Sequence, residues 1–89
     1  MELDHIRESI RQMAGRRHNV TLSEIKAVLK ELGRHGFEVH SRPAGDHAQL
    51  FQVNDRTFAI CTHRRGSRQL KAAYVSEFLK AMIEVGMYE

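Results

Sequence analysis

The sequence is poor in several features that would fix a small protein's class. It holds a single cysteine, Cys61, so no disulfide can form within the chain and a disulfide-stapled scaffold is excluded. The shortage of cysteine fits a reducing compartment. There is one proline, Pro43, and no tryptophan, and only two tyrosines and four phenylalanines. A row of stacking aromatics like that of single-strand binding proteins is therefore not apparent. No apolar run approaches the roughly 18 residues a membrane span requires. The stretch from Met1 to Met13 mixes charged and apolar residues, unlike the unbroken apolar run of a signal peptide. Together these absences predict a cytoplasmic protein with no membrane contact. Internal repeats, low-complexity tracts and linkers are also lacking. A chain of 89 residues has room for one domain, here taken as residues 1–89.

Basic clusters stand out in what is present. The formal net charge is only +3. Yet Arg16-Arg17-His18, Arg34-His35 and the stretch His63-Arg64-Arg65 through Arg68 and Lys71 are locally dense. Any one such cluster is ordinarily a solvated loop. Three on so short a chain favour a polyanionic partner.

Apolar periodicity predicts the elements. Leu3, Ile6, Ile10 and Met13 recur at helical spacing, giving a helix over about 3–14. Thr21 and Glu24 have capping-box spacing. They start a second helix carrying Leu22, Ile25, Val28, Leu29 and Leu32, which ends at Gly33 and Gly36. From Phe37 the period changes to two, and Phe37 and Val39 begin a strand that runs to about Arg42. Pro43-Ala44-Gly45-Asp46 is a turn. His47 to Val53 is a second strand, Asn54-Asp55 a tight turn, and Arg56 to Thr62 a third strand. Val75, Phe78, Leu79, Met82 and Ile83 mark a last helix, capped by Gly86, with Met87-Tyr88-Glu89 as a tail. The expectation is an α+β fold of order α-α-β-β-β-α: a three-stranded antiparallel sheet with the helices packed on one face.

Most patterns of chemistry find no match. Six histidines are present, but no pair sits at i, i+4 on a helix and there is no Cys-x-x-Cys. Cys61 and His63 alone fall short of the three or four ligands of a zinc site, so neither a metal nor another cofactor is expected. Ser41, Ser67 and Ser76 lack a nucleophile-elbow motif, and no glycine-rich run precedes a helix. His47 differs by position. It follows Gly45-Asp46 at a strand entry, where glycine permits a sharp turn and the close approach of another backbone. Its unperturbed pKa suits proton transfer near neutral pH. Cations from the His63–Lys71 stretch at the same sheet end would complete the minimum for metal-free RNA cleavage. A base takes the ribose 2′-hydroxyl proton, and positive charge stabilises the phosphate as charge develops on it. Spacing alone favours an ordinary surface histidine.

Gly45-Asp46-His47 after a strand, then Leu50-Phe51, a turn and a third strand, resembles the HicA family of small toxins. So does the exit into Thr62-His63-Arg64, followed by Leu70-Lys71-Ala72-Ala73-Tyr74-Val75 and a last helix. The resemblance spans about residues 21–85 and leaves the helix over 3–14 as an addition. It implies a fold similar to the double-stranded-RNA-binding domain. It further implies a toxin of a type II toxin–antitoxin pair, a metal-independent endoribonuclease cleaving mRNA and neutralised by a HicB-like antitoxin. The family's catalytic histidine, in a Gly-Ser-His motif, maps onto His47. Gly45, His63, Arg64, Arg65, Arg68 and Lys71 are then the expected RNA contacts. Asp46 stands where the family has serine, and Ala48 replaces a second histidine. The carboxylate favours the imidazolium form and repels phosphate. Two other readings fit the same residues: an RNA-binding module without chemistry, and a protein-interaction domain using the first helix or an open sheet edge.

Overall fold

A computed structural model of the chain describes residues 3–45, 48–61 and 72–88. The elements run α1 (Leu3–Ala14), α2 (Leu22–Arg34), β1 (Val39–Pro43), β2 (Ala48–Val53), β3 (Arg56–Cys61) and α3 (Ala72–Glu84). The three strands form one antiparallel sheet in the order β1-β2-β3. This is the α+β arrangement that the periodicity predicts. No described helix is long and apolar enough to cross a membrane.

Each element forms for a local reason. In α1 the charged positions face solvent and Ile6, Ile10 and Met13 are buried. Thr21 caps α2 with a complete capping box. Its hydroxyl accepts the Glu24 N–H at 3.3 Å, and the Glu24 carboxylate accepts the Thr21 N–H at 3.0 Å. Val20 before the cap and Ile25 after it are both fully buried, at the two positions of a hydrophobic staple.

The ends of α2 and α3 share one device, and it corrects two expectations. At α3 the Met87 N–H donates to the Met82 carbonyl (2.8 Å) and the Gly86 N–H to the Ile83 carbonyl (3.1 Å), with Gly86 at φ 84°. This is a Schellman closure, and its left-handed residue needs glycine. The turn drives Met87 back into the core, where it is 2% exposed, so Met87 is an anchor and not part of a tail. At α2, Phe37 donates to Leu32 (3.1 Å) and Gly36 to Gly33 (3.3 Å). Phe37 therefore belongs to the helix closure, and β1 starts two residues later than its apolar alternation suggests.

α3 lies against β3, α2 lies against β1, and α1 packs chiefly on the other two helices. Phe51 and Phe58, directly opposite in the β2–β3 ladder, stack with ring centroids 5.4 Å apart. Phe78 from α3 meets Phe58 edge-on at 5.8 Å. Such aromatic pairs add about 1 kcal/mol each beyond their buried area. Ile6, Ile10 and Met13 belong to the same cluster. The first helix is extra to the HicA resemblance, but it is not extra to the core.

Candidate nucleic-acid interface

The candidate site lies at one end of the sheet, and strand register sets its frame. Gly45 follows β1 with φ 98°, in the turn that the Ala44 N–H closes by donating to the Ala48 carbonyl at 3.0 Å. A side chain at Gly45 would meet no described atom within 4 Å. Glycine is required there by the backbone conformation. The close approach of a second backbone, which glycine would permit, is not seen among the described residues. Asp46 and the predicted catalytic His47 lie outside the described residues. So do His63, Arg64, Arg65, Arg68 and Lys71, the other predicted RNA contacts.

The flanks of these segments are described, and they converge. Ala48, which follows His47 in the chain, is the ladder partner of Cys61, the last described residue before the basic stretch. α3 resumes the chain at Ala72 and runs antiparallel to β3. At one end the Tyr74 hydroxyl interacts with Cys61; at the other, Arg56 pairs with Glu84 at 2.9 Å. Hydrogen bonding to the Cys61 thiol, with burial adding to it, pushes the Tyr74 hydroxyl above its ordinary pKa. The first turn of α3 carries no acidic residue, so the positive end of its dipole is not offset there.

The other two basic clusters have structural partners. The Arg16 guanidinium pairs with Glu24 and donates to the Asn19 carbonyl at 2.7 Å. That contact, before any other, holds the Glu24 carboxyl below its ordinary range, against the opposing effect of burial, with the Thr21 N–H assisting. It raises Arg16 correspondingly. Arg17 donates to the Ser76 hydroxyl at 3.2 Å, and Arg34 lies 3.5 Å from Glu31. Arg7 and Arg11 face Asp4 and Glu8 one turn away, at 3.7 and 2.8 Å. Sequence spacing did not suggest that Arg16 would be held by Glu24, eight residues on. The capping box was the available clue, since it fixes where Glu24 points.

Two further cavities carry no chemistry. A mostly apolar groove of about 420 Å³ lies between α1 and α2, lined by Met13, Ala27 and Val28 with Arg16, Lys30 and Arg34 at its rim. A shallow dip of about 80 Å³ lies beside His40, Arg42 and Leu50. Among the described residues no group of three or more His, Cys, Asp or Glu side chains gathers to hold a metal ion. Comparison of the chain with protein-family models, with curated proteins and with solved structures finds no match.

Proposed function

We propose that the chain is a HicA-like endoribonuclease that works on mRNA in the cytoplasm without a metal, paired with a HicB-like antitoxin. His47 acts as the proton-transferring group. Arg64, Arg65, Arg68 and Lys71, with His63 and the Gly45 backbone, hold the RNA phosphates. What supports this reading is the register pairing Ala48 with Cys61. It joins the segment that follows His47 to the segment that precedes the basic stretch at one end of the sheet. The order of the chain from α2 onward, α-β-β-β-α, is also the order expected of a double-stranded-RNA-binding-like fold.

In this mechanism His47 removes the ribose 2′-hydroxyl proton, the freed oxygen attacks the adjacent phosphorus, and the P–O5′ bond breaks, leaving a 2′,3′-cyclic phosphate on one fragment and on the other a 5′-hydroxyl that takes its proton from solvent. The arginines stabilise the charge that grows on the phosphoryl oxygens. The test is RNA cleavage by the wild type and by His47→Ala, with folding checked by circular dichroism. The variant should bind RNA and cleave none. Equal cleavage by both proteins would remove His47 from the mechanism. A second reading, RNA binding without cleavage, is favoured by Asp46 and Ala48. It predicts a salt-sensitive RNA complex and no product from either protein.

A further inference from the structure

β1 is an edge strand, and its hydrogen-bonding phase can be read from its two ends. Before it, the Glu38 carbonyl accepts the Asn54 N–H at 2.7 Å; after it, the Ala44 N–H donates to the Ala48 carbonyl at 3.0 Å. The β1–β2 register is unbroken from Val39↔Val53 to Pro43↔Gln49. Antiparallel ladders alternate. The backbone groups of Glu38, His40, Arg42 and Ala44 therefore face β2, while those of Val39, Ser41 and Pro43 face outward. Pro43 has no N–H to offer, and an outward-facing edge position is where a strand tolerates proline. The outward N–H and C=O groups of Val39 and Ser41 have no strand beside them in the described sheet.

The side chains on this segment are antisymmetric in charge. Glu38, His40 and Arg42 alternate with Val39 and Ser41, share the outer sheet face, and are all exposed. His40 Nε2 sits 3.2 Å from Glu38 Oε1, while Arg42 makes no ion pair among the described residues. Placing a second β1 antiparallel to the first, with a twofold axis at His40, sets each Glu38 opposite the other copy's Arg42. These fall at the non-hydrogen-bonded positions, where opposite side chains come closest. Val39 and Ser41 then exchange their outward backbone bonds, and Pro43 falls outside the paired segment. Moving the axis one residue, to Ser41, sets His40 against Arg42 and loses the pairing of opposite charges. A parallel in-register pair sets Glu38 on Glu38 and Arg42 on Arg42. Charge on an edge strand ordinarily deters pairing. Here it favours the register centred on His40 over a shift to Ser41 and over the parallel pair.

We infer that β1 is a self-association edge, joining two copies of this chain into a continuous six-stranded sheet with the helices of both on one side. The twofold axis stands perpendicular to that sheet, so the two Gly45 turns come at opposite ends of the joined strands. This does not rest on the proposed enzymatic reading.

Sedimentation equilibrium over a range of protein concentrations tests the assignment. The wild type should behave as a concentration-dependent dimer. Glu38→Arg or Arg42→Glu alone turns two attractive cross-strand pairs into two like-charge pairs. Each should raise the dissociation constant about tenfold or more. The double variant Glu38→Arg/Arg42→Glu restores opposite charges across the axis and should return to wild-type association. Ser41→Pro removes an outward donor that β2 does not use, and should give a folded monomer by circular dichroism. A wild type that is monomeric throughout overturns the inference and leaves the edge for a strand of another protein. A dimer indifferent to the single charge changes, or one the double variant fails to restore, overturns it as well.

Discussion

Glu24 joins three functions in one side chain, and removing it gives a quantitative test of how the helical half is held. Its carboxylate accepts the Thr21 N–H at 3.0 Å and pairs with Arg16, while its own N–H caps onto the Thr21 hydroxyl. Glu24→Ala keeps the last bond and loses the first two. A charged acceptor on a half-buried backbone N–H contributes about 1 kcal/mol. The Arg16 and Glu24 side chains are 38% and 35% exposed, so solvent screens their pair to about 0.5 kcal/mol. The expected loss is about 1.5 kcal/mol, or roughly 6–12 °C in melting temperature for a domain of this size. Glu24→Gln keeps a carbonyl oxygen for Thr21 and loses only the charge, so it should cost about a third as much.

Urea denaturation followed by circular dichroism reads both values, and pH separates their causes. The folded-state pKa of Glu24 is lowered. Its ionic contribution is therefore complete above the unfolded value, about 4.3, and is lost as pH falls through the lowered one. The gap between wild type and Glu24→Gln should close on acidification through that range, while part of the Glu24→Ala penalty persists. A Gln penalty that stays constant down to the acid limit would show that the ion pair contributes nothing. An Ala variant as stable as the wild type would refute the whole account.

Other perturbations follow from single contacts. Met87→Ala removes a side chain that is 2% exposed and should cost about 2–4 kcal/mol; a loss below about 0.5 kcal/mol in urea melts would return Met87 to the status of a tail. Asn54 holds φ 55° and its Oδ1 accepts the Glu38 N–H at 3.0 Å. Asn54→Ala should cost about 1–2 kcal/mol, from backbone strain and the lost bond together. Asn54→Gly removes the strain and should cost less than Ala; the reverse order in thermal melts would argue against a strained turn.

Apolar periodicity made the fold legible, because every long element buries one face. Ile6, Ile10 and Met13, or Phe58 and Ile60, declare their period in the chain itself. What it did not disclose were contacts set by turn geometry or by distant partners. Phe37 and Met87 are apolar residues after a glycine, and nothing local says whether such a residue begins a strand, trails off, or folds back under a helix end. The Schellman closure decides, and it depends on how the rest of the core receives the side chain. Arg16 reads as surface charge until α2 brings Glu24 to it. At the candidate site, Gly45 was legible as a turn residue from its neighbours Pro43 and Ala44. The pairing of Ala48 with Cys61 needed the register, which the hairpin at Asn54-Asp55 fixes.

The ion pairs of the helical half sharpen the case for a polyanion at the other end. Arg64, Arg65, Arg68 and Lys71 carry four positive charges, with no acidic residue between Thr62 and Lys71, against a chain total of +3. The chain's basic excess therefore resides in that stretch, and the remainder is slightly acidic. Arg7, Arg11, Arg16, Arg34 and Arg56 each face a carboxylate, which reduces the field they present to an incoming phosphate. If RNA is bound electrostatically, the dependence of affinity on salt counts the cations that displace counterions. Neutralising Arg64 and Arg65 together should lower the log–log salt slope by about 2 and weaken binding across RNA sequences alike. Neutralising Arg7 and Arg11, exposed but paired on α1, should leave the slope almost unchanged. Fluorescence anisotropy with a labelled duplex and a labelled single strand, titrated over a series of salt concentrations, measures both. Equal losses from the two double variants would mean that net charge alone attracts RNA, and the convergence of segments at the Ala48–Cys61 end would lose its claim to be the binding site.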